Sequence, residues 1–280
     1  MQVTPIRCKD RIMTATPALA LTIAGSEATG GAGAQVDLRT FQALDVFGMA
    51  ALTCIVSFDP KNAWSHRFVP VDPQVIADQL EAITTAYPPE QLSVTKIGML
   101  GTPATIDTVA KVLRDRSFQQ VVLDPVLICK GQEPGAALDT DRALQTHVLP
   151  LATFVTPNHF ESMSLSGMDK IETVEDLTAA AKRIHELSGA AVLAKGGVNL
   201  PGPDAVDVFV DGSIVEVLSA PKVGEVAVAG AGCTLAAAVA AHLARGAGPL
   251  EAARSAKEFV TAGIRHRLQS AAPFDVVLQK

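Results

Sequence analysis

Short apolar runs rich in β-branched residues alternate with segments of helical periodicity along most of this chain, and that alternation admits few architectures. The runs are 19–24, 49–56, 94–97, 120–123, 153–155, 191–194 and 206–210. Thr173-Val174-Glu175-Asp176 opens one intervening helix with a capping-box pattern; Leu177, Ala181, Ile184 and Leu187 give it an apolar face, and Gly189 ends it. Leu250, Ala253, Lys257, Val260, Ile264 and Leu268 stripe a second helix, with the stem of Lys257 lying along it. Strands that alternate with helices predict an α/β fold, a mainly parallel central sheet with helices on both faces. Asp211-Gly212 between two β-rich segments predicts a hairpin, which adds a small antiparallel edge to the sheet.

Ligands of open α/β sheets sit beyond the carboxyl ends of the strands. Polar clusters follow the predicted strands at 26–33, 57–66, 98–101, 124–131 and 156–161, and the turn Lys195-Gly196-Gly197 follows another. Repeated in this way, they predict one shared crevice. Two of its turns are glycine-rich and open helices: Gly30-Gly31-Ala32-Gly33 and Gly230-Ala231-Gly232-Cys233-Thr234. The start of a helix carries unpaired N–H groups and partial positive charge, so it receives anions. The same field would favour the thiolate of Cys233.

Several side chains in these loops carry two readings. Asp124, ending a buried run, is either a capping or ion-paired acid or part of a metal and phosphate site. Asn158 and Glu161 fit a helix start, and Glu161 also fits support of Mg²⁺ through water. Lys195, ahead of two glycines, is either a surface lysine or a point charge for phosphate oxygens. His66 is solvated or touches substrate, and Cys54 reads as a packed core thiol.

Composition removes other classes. A net charge of −6 with scattered basic residues argues against a nucleic-acid partner. No apolar run approaches the ~20 residues of a membrane span, and four dispersed cysteines fit neither a zinc site nor a disulfide scaffold, which points to the cytoplasm. Residues 1–17 read as a mobile tail and 18–280 as a single domain, with no linker or repeat between. There is no H-E-x-x-H and no G-x-x-x-x-G-K-[ST], and Gly31-Ala32-Gly33 lacks the spacing of a dinucleotide fingerprint.

The motifs Leu21-Thr-Ile-Ala-Gly-Ser26, Gly30-Gly-Ala-Gly-Ala-Gln-Val-Asp37, Lys96-Ile-Gly-Met-Leu-Gly101, Asp124-Pro-Val126, Thr156-Pro-Asn-His-Phe-Glu161, Lys195-Gly-Gly197 and Gly230-Ala-Gly-Cys-Thr234 stand in this order. With them the chain resembles the ribokinase-like superfamily from residue 18 to 268. The resemblance is to the branch of hydroxymethylpyrimidine (phosphate) kinases and the similar pyridoxal kinases of Gram-positive bacteria. It implies a three-layer ribokinase-like fold, transfer of the γ-phosphoryl of ATP to a primary hydroxyl on a pyrimidine or pyridine ring, Mg²⁺, room for a monovalent cation, and a homodimer.

Carried onto this sequence, the resemblance makes Gly230, Ala231, Gly232 and Cys233 an anion hole, with Cys233 where many relatives hold an aspartate base. Asp124 and Glu161 organise the metal, with Asn158; Lys195, Gly197, Asn158 and Thr234 serve the nucleotide. Ser26, Asp37, Phe58, His66 and Met99 face the ring. Hydroxymethylpyrimidine kinases usually carry Gln where this chain has Phe58, and Ala229 replaces a common histidine. The loops Trp64-Ser65-His66 and Ile128-Cys129-Lys130-Gly131 resemble the pyridoxal kinases that pair a lid cysteine with the anion-hole cysteine, so pyridoxal is the expected substrate. Lys130 beside Cys129 favours a thiolate able to add to the aldehyde. The competing expectations are a hydroxymethylpyrimidine kinase, a dual-specificity enzyme, and a silent vitamin-binding protein.

Overall fold

The computed structural model describes residues 16–127 and 134–280, so the tail read over 1–17 falls outside the described residues as far as residue 15. The strands are β1 (Ala18–Glu27), β2 (Val46–Asp59), β3 (Ser65–Pro70), β4 (Val94–Ile97), β5 (Gln120–Leu123), β6 (Phe154–Val155), β7 (Ala191–Lys195), β8 (Asp204–Asp211) and β9 (Ile214–Pro221). The helices are α1 (Gly33–Ala43), α2 (Pro73–Ala86), α3 (Pro103–Arg116), α4 (Pro134–His147), α5 (His159–Ser166), α6 (Val174–Ser188), α7 (Ala231–Ala244) and α8 (Pro249–Arg265). All nine strands join one sheet in the order β3-β2-β1-β4-β5-β6-β7-β8-β9.

The strands from β2 to β7 in that order run parallel, as the alternation predicts, and β8 and β9 form the hairpin expected at Asp211-Gly212. Antiparallel pairing occurs at both edges rather than one, because β3 folds back on β2. β3 gives no apolar signal: it mixes Ser65, His66 and Arg67 with Phe68 and is largely exposed.

Side chains alternate between the two faces of the sheet with the period of two that strands impose. Leu19, Leu21 and Ile23 of β1 join Val121 and Leu123 of β5 in a core covered by α2 to α6. Ala20 and Val122 point the other way, into a second core formed with α1, α7 and α8. The result is three layers. In α7 the residues Ala236 to Ala241 are all buried, so small side chains let that helix lie close to the sheet and its neighbours.

Local signals hold where capping chemistry is explicit. Thr173 caps α6 in a capping box closed by Asp176, and Gly189 ends the helix in the left-handed region. Two stripe positions are corrected: Leu187 is exposed, and Leu268 lies beyond α8 and is exposed, because the apolar contact of each helix ends a turn earlier.

The strand order makes a topological switch point between β1 and β4, since the chain leaves β1 toward β2 and returns on its other side. Gly33 starts α1 there with φ +66°, and a Cβ on it would run into the Gly25 carbonyl oxygen. A Gly33→Ala variant should therefore lose at least about 2 kcal/mol, as the left-handed region alone costs alanine about 1–2 kcal/mol before the clash is counted. Urea unfolding of the two proteins checks this; an unchanged midpoint would show that the turn is not constrained.

Candidate active site

A cavity of about 530 Å³ opens at the switch point. Its floor comes from the ends of β1 and β4, through Ala24, Gly25, Lys96 and Met99. Phe58 and His66 line it from the β2–β3 hairpin, and Gly230 and Cys233 from the start of α7. Backbone bonds knit these ends together: Gly98 N–H donates to Ile23 O, Asp124 N–H to Ile97 O and Thr156 N–H to Leu123 O, each at 2.9 Å. The described parts of the polar clusters that follow these strands are thus brought to one edge of the sheet.

α7 begins without any side-chain cap. Gly230 holds φ +80°, and a Cβ there would strike the Gly31 carbonyl oxygen, so the two glycine turns touch backbone to backbone. A Cβ on Gly232 would lie 3.3 Å from Lys195 Nζ and 3.9 Å from Asp124 Oδ2. The first N–H groups of α7, a cation and a carboxylate therefore meet at one point. This is the arrangement an anion needs, with Asp124 offering oxygen to a cation that accompanies it.

Lys195 Nζ donates to Asp124 Oδ1 at 3.3 Å, and Thr156 Oγ1 donates to the same oxygen at 3.4 Å. Glu161 and Asn158 form a reciprocal capping box at α5: Asn158 N–H donates to Glu161 Oε2 at 2.7 Å, and Glu161 N–H to Asn158 Oδ1 at 2.9 Å. Burial pushes the Glu161 carboxyl up to about 8 against the pull of Lys195, and Asp124 adds to the rise. Burial acts to lower Lys195, but Asp124 and Glu161 more than reverse it and hold the ammonium charged.

No group of three or more His, Cys, Asp or Glu among the described residues could hold a metal ion by itself. The donor set nevertheless fits Mg²⁺. The carboxylates of Asp124 and Glu161 are hard oxygen donors, and a buried Glu161 raised toward protonation gains from a neighbouring cation. An ion that keeps several waters and shares substrate phosphates needs no all-protein cage.

Phe58, His66 and Met99 line the cavity, where the sequence places them. Three expected site residues are moved. Asp37 is wholly buried behind the cavity wall, accepting from Lys96 Nζ at 2.9 and 3.1 Å and from Thr22 Oγ1 at 2.6 Å, because a carboxylate at that depth requires a cation and a donor. The Ser26 hydroxyl is taken up by Gln35 Nε2 at 2.7 Å, while its neighbours Gly25 and Glu27 reach the cavity. Thr234 is fully buried, its hydroxyl accepting from Gln279 Nε2 at 2.9 Å, so only its backbone belongs to the turn. Gly197, at φ +56°, follows Lys195 and precedes Val198, which lines a second cleft of about 470 Å³ with Gly202, Pro203 and Lys222. Cys129 lies outside the described residues.

The expectation of a thiolate at Cys233 is also corrected. Burial pushes this thiol up to about 11, outweighing the pull of Lys96 and the hydrogen bond from Gly33 N–H, while Asp124 and Asp37 push it further. A helix N-terminus favours an anion, but two carboxylates and a dry wall prevail here. Cys54 is buried as expected and likewise pushed up to about 11.

Lys96 stands in a sequence motif that assigns it no role of its own. Burial acts to lower this lysine, but Asp37 first, then Cys233 and Asp124, raise it, so it stays a cation in the cavity wall. A lysine inside the apolar strand run 94–97 was the available signal. Pro273 and Phe274, which also line the cavity, carried none.

Because Cys233 is raised, its alkylation by iodoacetamide should be slow at pH 8 and increase about tenfold per pH unit toward pH 10. Peptide mapping by mass spectrometry reads the rate; fast labelling that levels off below pH 8 would contradict the raised thiol.

The phosphomethylpyrimidine kinase family matches residues 27–275 of this chain. The pyridoxine kinase of Bacillus subtilis is 46% identical over 246 residues, which cover 88% of this chain and 90% of that protein. Among solved structures, an ADP complex of Bacillus subtilis pyridoxal kinase superposes with a TM-score of 0.88 at 44% identity, covering 94% of this chain and 97% of the other. The pyridoxal kinase from Staphylococcus aureus in complex with AMP-PCP and pyridoxal gives a TM-score of 0.85 at 39% identity, covering 93% of each chain. This chain belongs to the phosphomethylpyrimidine kinase family of ribokinase-like proteins, on the branch that holds the pyridoxal kinases of Gram-positive bacteria.

Proposed function

We propose that this protein transfers the γ-phosphoryl group of ATP to the 5′-hydroxymethyl oxygen of pyridoxal. The observation that carries the reading is the aromatic-walled cavity that opens directly on the Gly230–Cys233 turn, with Lys195 beside Gly232. Phe58 supports pyridoxal over an aminopyrimidine. Its ring stands edge-on to His66 at 4.6 Å and offers no acceptor to an amino group that must leave water.

The steps follow from the residues. The ring rests against Phe58, with its hydroxymethyl group toward Cys233. The nucleotide runs from Lys195 toward the cleft at Val198, Gly202 and Lys222, and Lys195 meets its phosphate charge. The hydroxymethyl oxygen attacks the γ-phosphorus, the bond to the β,γ-bridging oxygen breaks, and ADP departs. Backbone N–H groups at the start of α7 point at the transferring group and favour its spread negative charge. The hydroxyl proton passes to Cys233 in its thiolate form. Mg²⁺, when bound with the nucleotide, neutralises phosphate charge, and Asp124 and Glu161 with Asn158 are the residues that would hold it.

The reading keeps Cys129 as the thiol whose sulfur adds to the pyridoxal aldehyde carbon, the carbonyl oxygen taking the proton, so that the ring is anchored reversibly. It also includes a single kinase domain in a cytoplasmic homodimer and room for a monovalent cation, for which family resemblance is the support. No helix among the described residues is long and apolar enough to cross a membrane.

An ATP-dependent product assay offering pyridoxal, pyridoxine and hydroxymethylpyrimidine side by side tests the reading. Pyridoxal should show the highest kcat/KM, and equal or greater efficiency with hydroxymethylpyrimidine would make the thiamine-pathway kinase the better assignment. Cys233→Ala should lower kcat by about 10² to 10⁴, the range for loss of a positioned proton acceptor. Since burial leaves only a small thiolate fraction at neutral pH, the parent's kcat should rise from pH 7 to 9, and the variant's should not. Parallel pH profiles would remove Cys233 from proton transfer.

A further inference from the structure

Residues 273–280 pass over the catalytic turn and add a wall to the cavity. Ala229 N–H donates to Asp275 O at 2.9 Å, and Val277 N–H donates to Ala229 O at 3.0 Å, directly before Gly230. Leu268 and Val276 exchange backbone bonds at 2.8 and 3.0 Å, and Arg267 pairs with Asp275 at 3.1 Å. Gln279 bridges two helices: its Nε2 donates to Thr234 Oγ1 at 2.9 Å, and its Oε1 accepts from Arg39 Nε at 3.0 Å. Val277 is buried against Gly263 and anchors the segment.

The ring of Phe274, by contrast, belongs to neither hydrophobic core and remains half-buried in the cavity wall. Its centroid lies 5.1 Å from that of Phe58, tilted by 45°, and 6.0 Å from that of Trp64 at 85°. These separations fall in the range where aromatic rings attract, and together they make a corner of aromatic faces and edges. A side chain kept for stability alone would be buried, as Val277 is against Gly263, whereas the Phe274 ring stays partly open to the cavity. Phe274 presents apolar surface to the space a ligand ring would fill.

We infer that Phe274 is a substrate-positioning residue that holds the flat heteroaromatic ring of the substrate, and that the strap carrying it fixes this wall relative to the Gly230 turn. The inference deepens the proposed function and rests on its placing of the ring in this cavity. Ring wall and anion hole then move as one body, because both the N–H and the carbonyl of Ala229 are bonded to the strap. A ring seated against Phe274 has its hydroxymethyl group at a set distance from Cys233, which turns binding into orientation.

Trp64 is the single tryptophan of the chain and lines the same cavity, so its fluorescence reports occupancy. Quenching titrations without nucleotide would be run with pyridoxal and with hydroxymethylpyrimidine on the parent, Phe274→Ala and Phe274→Leu, together with KM for ATP and Tm. Phe274→Ala should raise Kd for pyridoxal about tenfold, the worth of one lost aromatic contact and its buried area, with KM for ATP unchanged. Phe274→Leu, which keeps bulk and therefore the fold, should show a smaller rise of the same kind. An unchanged Kd in both variants overturns the inference while leaving the proposed substrate intact. A fall in Tm with equal weakening toward pyridoxal and ATP also overturns it, since that marks a structural residue. If the parent binds neither ring, the substrate reading and this inference fall together.

Discussion

Everything at the carboxyl edge of this sheet depends on backbones approaching more closely than a Cβ allows. Gly33 abuts the Gly25 carbonyl, and Gly230 abuts the Gly31 carbonyl. Through those two contacts the end of β1 and the start of α1, close in sequence, become neighbours of the start of α7, which comes far later in the chain. The Gly33 N–H then reaches the sulfur of Cys233. The close crossing converts one strand end and two helix starts into one site.

Charge completes what sterics begin. Behind and around the cavity, carboxylates and ammonium groups alternate: Asp37 against Lys96, Asp124 against Lys195, and Glu161 within the field of Lys195. Each lysine is held charged by its carboxylates despite burial, and each carboxylate is spared the cost of standing alone in a dry place. Cys233 lies within reach of both pairs, which is why its thiol answers to Asp124 and Asp37 as well as to Lys96. A phosphate entering this wall meets cations that are already fixed, so little reorganisation remains to be made.

The fold was legible in the sequence wherever a residue acts through its own neighbours. Capping at Thr173 and Asn158, the Asp211-Gly212 turn and the buried strand runs are local signals, and the structure reproduces them. The polar clusters also foretold a shared crevice, because strand ends in a parallel sheet converge by geometry. What stayed hidden depends on long-range partners. Asp37 carries the same side chain whether it faces a ligand or Lys96, and only the fold decides, through burial. Phe274 sits in a short irregular stretch with no helix or strand periodicity, and its place in the cavity depends on Ala229, far back along the chain. The wall it forms therefore had no signature to read.

The alanine run of α7 has a consequence for how this protein tolerates change. From Ala236 to Ala241 every side chain is a single methyl or the small Val239, and every one is buried. Tight packing of that kind leaves no empty volume into which an added carbon could go without moving the helix axis. A displaced axis carries the Gly230 turn with it, at the far end of the same rigid rod. Substitutions deep in α7, remote from any ligand, would be felt as misplaced chemistry as well as lost stability. Drift that a looser helix would absorb silently would thus be open to selection through the reaction itself.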